Sequence, residues 1–86
     1  MVKFNEEKFE KIISDDSFSL YDFKKNKVYL FNETSQYIIE SMVMGKSLDD
    51  IIEDFCADSD YDIKTVRNDF EKTVQFFYRE EIIHNV

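Results

Sequence analysis

The sequence has no proline, no tryptophan, one glycine, one cysteine and one histidine in 86 residues. Each shortage excludes something. With no Pro and only Gly45, there is no flexible or proline-rich linker on which to divide the chain, so one domain over residues 1–86 with one modest core is expected. Cys56 alone cannot form an intrachain disulfide, and a single thiol suits a reducing cytoplasm. Cys56 and His84 cannot by themselves make a Cys/His metal site, and an isolated Gly45 cannot make a phosphate-binding loop. The start, MVKFNEEKFEKII, is too charged for a signal peptide. No apolar run approaches the ~20 residues needed to span a bilayer. The expectation is a soluble cytoplasmic protein with no membrane partner, no metal and no cofactor.

Acid and aromatic residues are plentiful instead. Aromatics make up 16% of the chain, which argues against disorder despite the charge. Nine Phe and five Tyr supply most of the bulk for a core. The net charge is -8, and it is unevenly placed. Seven carboxylates lie between Asp49 and Asp62 with no Lys or Arg, whereas Lys24, Lys25 and Lys27 stand together without acid. The chain mostly lacks the basic footprint of a nucleic-acid binder, so no nucleic acid is expected as a partner.

The first third reads as strands and turns. Phe9 to Ile13 suits a strand broken by Ser14, Asp15 and Asp16, although Phe4, Phe9, Ile12 and Ile13 also fit a short helix. A second strand begins near Phe18. KKNK makes a hairpin turn in which Asn26 is the best residue for a positive φ. The strand Val28 to Phe31 follows and stops abruptly at Asn32, a good N-cap whose side chain can accept from the Ser35 amide. Three helices come next. The first carries Ile38, Ile39, Met42 and Val43 and ends at Gly45. The second is capped by Ser47 and carries Leu48, Ile51, Ile52 and Phe55 at i, i+3, i+4 and i+7. Cys56, next to Phe55, is expected to be buried. The third is capped by Asp62 and carries Ile63, Val66, Phe70, Val74 and Phe77. EEIIHNV adds a turn or a short strand. The expected fold is α+β: a small three-stranded antiparallel sheet followed by three helices, winged-helix-like.

VYLFNETSQYIIESMVMGKSLDDIIEDF followed by VRNDFEKTVQFFYREEII resembles the PqqD-like proteins, the peptide chaperones also called RiPP recognition elements. The likeness covers roughly residues 18 to 83. Phe31-Asn32 stands at the family's Leu-Asn, and Gly45 and Ser47 stand at its helix break. The chain departs at Ser35-Gln36, where small apolar residues are usual, and at Glu81, where Gly is usual. The resemblance implies a non-enzymatic module that binds the leader segment of a ribosomally made precursor peptide and presents it to a peptide-modifying enzyme, often a radical SAM enzyme. It further implies that the leader adds as a strand beside Val28, Tyr29, Leu30 and Phe31. The last helix would form the floor, around Val66, Arg67, Phe70, Glu71 and Val74. In a three-stranded meander the third strand is an edge, and a bare edge is a template for strand addition.

Each signal also has a plainer explanation. Phe70 and Val74 belong to the core whatever the function, and Arg67 and KKNK suit solvated surface. Asp58, Asp60 and Asp62 start like a calcium loop, but Ile63 and Asp69 replace its Gly and its final Glu. NET at Asn32 to Thr34 matches a glycosylation sequon, yet a helix cap explains it. The main alternative function is a winged-helix DNA-binding regulator with Lys64, Arg67 and Lys72 on its last helix, against which the net charge of -8 argues. A structural subunit stable only as an oligomer is a third reading.

Overall fold

The computed structural model describes residues 1–15 and 18–86. Eight elements follow in order: β1 (Val2–Phe4), β2 (Phe9–Ile13), β3 (Phe18–Asp22), β4 (Lys27–Phe31), α1 (Glu33–Val43), α2 (Leu48–Cys56), α3 (Ile63–Arg79) and β5 (Ile83–Asn85). β2, β3 and β4 form an antiparallel meander with β3 in the middle, so the three-stranded sheet and the three helices after it stand as expected. The break expected at Ser14, Asp15 and Asp16 is described only at its first two residues, since Asp16 lies outside the described ones.

The register places Lys11, Leu20 and Tyr29 in one cross-strand row, and Ile13, Phe18 and Phe31 in another. Side chains alternate across a sheet, so these rows share the face turned toward the helices. Phe18 and Leu20 are fully buried there. The β3–β4 turn is held by Asp22, whose Oδ1 accepts from the amides of Lys24 and Lys25 at 2.9 and 3.1 Å. Asn26 takes φ 52°, and its side chain accepts from the Tyr21 hydroxyl. Asp22 itself has no exposed surface. Burial pushes its carboxyl up, but the two donated amides and the charges of Lys8 and Lys25 outweigh this and hold it below its ordinary value.

The helix starts follow the caps. Asn32 accepts from Ser35 N at 2.8 Å, Ser47 from Asp50 N at 3.1 Å, and Asp62 from Lys64 N at 3.2 Å. α1 and α3 end in the same way. At the close of α1, Gly45 takes φ 102°, with Gly45 N donating to Met42 O and Lys46 N to Ser41 O. At the close of α3, Glu81 takes φ 59°, with Glu81 N donating to Tyr78 O and Ile82 N to Phe77 O. Both are Schellman endings, which need a left-handed residue. Position 81, where the family pattern has Gly, therefore keeps the Gly conformation with a glutamate in it.

That turn aims the chain end back at its beginning. β5 pairs antiparallel with β1, Val2 opposite Asn85 and Phe4 opposite Ile83, making a second, two-stranded sheet. The first residues are thus strand rather than helix, and the tail is the strand that holds them. Phe4, Ile82 and Ile83 join Phe9, Ile38, Ile39, Ile51, Ile52, Val66, Phe70, Val74 and Phe77 in one core. Cys56 is half-buried against that core rather than enclosed. No helix among the described residues is long and apolar enough to cross a membrane.

Candidate functional site

β4 ends one side of its sheet, and among the described residues no strand but β3 pairs with it. Its side chains divide by parity. Val28 and Leu30 point away from the helices and are 52% and 79% exposed. Tyr29 and Phe31 point inward, half-buried on the C-terminal half of α3. The Tyr29 ring lies 6.5 Å from that of Phe76, and Phe31 lies 6.4 Å from Phe76 and 5.9 Å from Phe77. The Tyr29 hydroxyl donates to Glu80 Oε1 at 3.5 Å. The unpaired edge therefore runs directly beside a helix.

Beyond Phe31 the strand and α3 part, because Asn32 turns the chain into α1. A cavity of about 440 Å³ opens there. Asn32, Thr34 and Ser35 line it from the α1 side, and Thr65, Val66, Asp69, Phe70 and Thr73 from α3. Phe55 and Tyr61 close it below, their rings stacked with centroids 5.3 Å apart, and Phe55 meets Phe70 edge-on at 5.0 Å. The floor is aromatic and the rim carries hydroxyls and carboxylates. Such a lining suits an apolar side chain with polar neighbours. No group of three or more His, Cys, Asp or Glu side chains among the described residues is placed to hold a metal ion.

The residues singled out from sequence fall into three places. Val28, Tyr29, Leu30 and Phe31 make the edge. Val66 and Phe70 line the cavity from within the core, while Val74, 9% exposed, belongs to the core and does not line it. Arg67 and Glu71 lie on the other flank of α3. Arg67 reaches Asp49 of α2 at 2.7 Å, and that hydrogen bond raises its pKa above the ordinary value. Neither Arg67 nor Glu71 lines the cavity. The flank that does line it is Thr65, Asp69 and Thr73, with Phe76 beyond, and sequence reasoning passed over these. Thr65, Asp69 and Thr73 recur every four residues alongside the apolar stripe, but Arg67 and Glu71 do the same on the other flank, so that spacing could not single them out.

The family model for Coenzyme PQQ synthesis protein D (PqqD) matches residues 17–83. No curated protein matches the sequence. Among solved structures, the chain is similar to "TbiB1 in Complex with the TbiA(beta) Leader Peptide" at 18% identity, with a TM-score of 0.77, covering 98% of this chain and 96% of that one. It is also similar to "Lasso peptide synthetase B1 complexed with the leader peptide" at 13% identity, with a TM-score of 0.83, covering 98% of both chains. At these identities the likeness is one of fold.

Proposed function

The chain belongs to the PqqD family, and from that premise we propose that it is a non-catalytic binding module for the leader segment of a ribosomally synthesised precursor peptide. The leader adds as a strand along Val28 to Phe31 and is presented in the cytoplasm to a peptide-modifying enzyme, with radical SAM enzymes the first class to try. The two solved structures of like fold, each described as a complex with a leader peptide, support this reading.

The observation that carries it is the unpaired β4 edge lying beside α3 with a cavity at its end. A guest of ~5 residues gains a few backbone hydrogen bonds at ~0.5–1.5 kcal/mol net each. Two apolar anchors, one against Tyr29 and Phe76 and one in the cavity, add ~1.5–3 kcal/mol each. Association opposes this by ~4–15 kcal/mol. At the favourable end of these ranges the balance reaches about -8 kcal/mol, which is micromolar binding. Val66 and Phe70 line the cavity from α3, and Asp69, Thr73 and Phe76 are the α3 residues best placed to meet the guest.

Calorimetric titration with the leader encoded by a precursor gene next to this one tests the proposal. Saturable binding in the micromolar range is expected. No binding at a hundred micromolar leader would overturn it.

A further inference from the structure

The two ends of the groove differ in charge. β4 and α3 run in opposite directions along it: Phe76 sits beside Tyr29 and Phe31, while Asp69 and Thr73 share the cavity with Asn32 and Thr34. The end near the β3–β4 turn is basic. Lys25 and Arg79 flank Glu80 at 3.9 and 3.8 Å. Lys27 Nζ lies 5.1 Å from the centre of the Tyr29 ring, and the Arg79 guanidinium 5.6 Å from that of Phe76. Two cations flank one carboxylate there, and a third lies over the neighbouring Tyr29 ring.

The opposite end is acidic. Asp62 and Asp69 line the 440 Å³ cavity, Asp15 and Glu33 line a neighbouring one of about 270 Å³, and no Lys or Arg lines either. Glu33 and Asp62 stand at helix starts, where they offset the positive ends of the helix dipoles. Asp69 has no such task. It lies within α3, and its carboxylate enters no hydrogen bond or ion pair among the described residues, the Thr73 hydroxyl using its backbone carbonyl instead. From Asp69 to Arg79 the helix rises about 15 Å, and four steps of extended strand cover about 14 Å. A guest of roughly five residues therefore reaches both ends.

Taking as given strand addition with the guest antiparallel to β4, we infer that this polarity selects the guest by its charge order: basic side chains in its N-terminal half and acidic ones in its C-terminal half. Antiparallel pairing is the more stable ladder per residue and continues the β3–β4 pairing already present. It brings the guest's N-terminal half to Asp69 and its C-terminal half to Lys25, Lys27 and Arg79. The reverse charge order sets like charges against each other at both ends.

The test is selection from a phage-displayed library of random nine-residue segments on the immobilised chain. The net charge of -8 enriches Lys and Arg everywhere, so the readout is the difference between the two halves of the segment. Lys and Arg should be enriched about threefold more in the N-terminal half than in the C-terminal half, with Asp and Glu opposite. The bias should shrink in 0.5 M salt, where exposed charges are screened. In an Asp69→Lys, Lys27→Glu double variant the bias should fall clearly, because Lys25 and Arg79 remain at one end and Asp15, Glu33 and Asp62 at the other. Equal halves, or the same bias in the double variant, would overturn the inference. A pool that never enriches, or that binds Tyr29→Pro equally well, would instead remove the strand-addition reading beneath it.

Discussion

β2 and β4 are both edges of one three-stranded sheet, and among the described residues it is β4 whose inward rings rest on α3. The residues of β2 that share the inward face are Phe9, Lys11 and Ile13. Phe9 is buried, but Lys11 is exposed and Ile13 is 61% exposed, so the far half of β2 overhangs solvent. On β4 the equivalent places hold Tyr29 and Phe31, both resting on α3. Both edges offer unpaired backbone groups. What separates them is a surface on which a guest's side chains can be buried. Backbone hydrogen bonds are nearly balanced by water, and buried apolar area is not.

The difference should show first in stability. Phe77, fully buried under Phe31, should lose about 3–5 kcal/mol on substitution to Ala, whereas Ile13→Ala on the overhanging strand should stay within about 0.5 kcal/mol. Urea denaturation measures both, and equal losses would break the comparison. Binding should separate the edges next. Tyr29 and Lys11 sit opposite the same residue, Leu20, so proline at each is a matched pair. Tyr29→Pro should weaken leader binding at least about 30-fold, roughly 2 kcal/mol, by distorting the strand that the guest joins. Lys11→Pro, if circular dichroism shows it folded, should stay within about threefold. A larger effect at Lys11 would move the site to the wrong edge.

A smaller effect concerns the end of the supporting helix. A non-glycine residue in the left-handed region costs about 1–2 kcal/mol. Glu81→Gly should therefore stabilise the chain, less up to about 1 kcal/mol for the lost pair of the exposed Glu81 carboxylate with the half-buried Lys8 at 3.5 Å. A rise of a few degrees in Tm is expected, and a fall would mean that the Glu81 side chain matters more than its backbone. The last effect is on pH and concerns the β3–β4 hairpin. The Asp22 carboxyl is held below its ordinary value of 3.8 in the folded chain. Its contribution is therefore complete above that value and is lost as pH falls through the lower folded value. Asp22→Asn, which keeps an acceptor for the turn amides, should lose less stability than the parent between pH 4 and pH 2. Parallel acid profiles would assign the turn's stability to other groups.

The sequence made the edge legible more readily than the groove. Val28 to Phe31 is a dense β run closed by Asn32, and Asn32, Ser47, Asp62 and Gly45 mark helix limits through side-chain and backbone chemistry that acts within a few residues. The pairing of β1 with β5 was not legible. Each strand has three residues, and the contact joins opposite ends of the chain, so neither periodicity nor turn chemistry announces it. On α3 the apolar stripe identified the core line, Val66, Phe70, Val74 and Phe77. It could not say which polar flank faces β4. That choice depends on α2, where Asp49 holds Arg67 on the other side.

Amide chemical-shift mapping of the labelled chain, titrated with the leader of the neighbouring precursor, tests the choice of edge most directly. The largest changes should fall on Val28 to Phe31 and on the α3 flank at Asp69, Thr73 and Phe76, with β2 little affected. Changes centred on Glu10 to Ile13, or confined to α2 and the chain ends, would contradict a guest strand at β4.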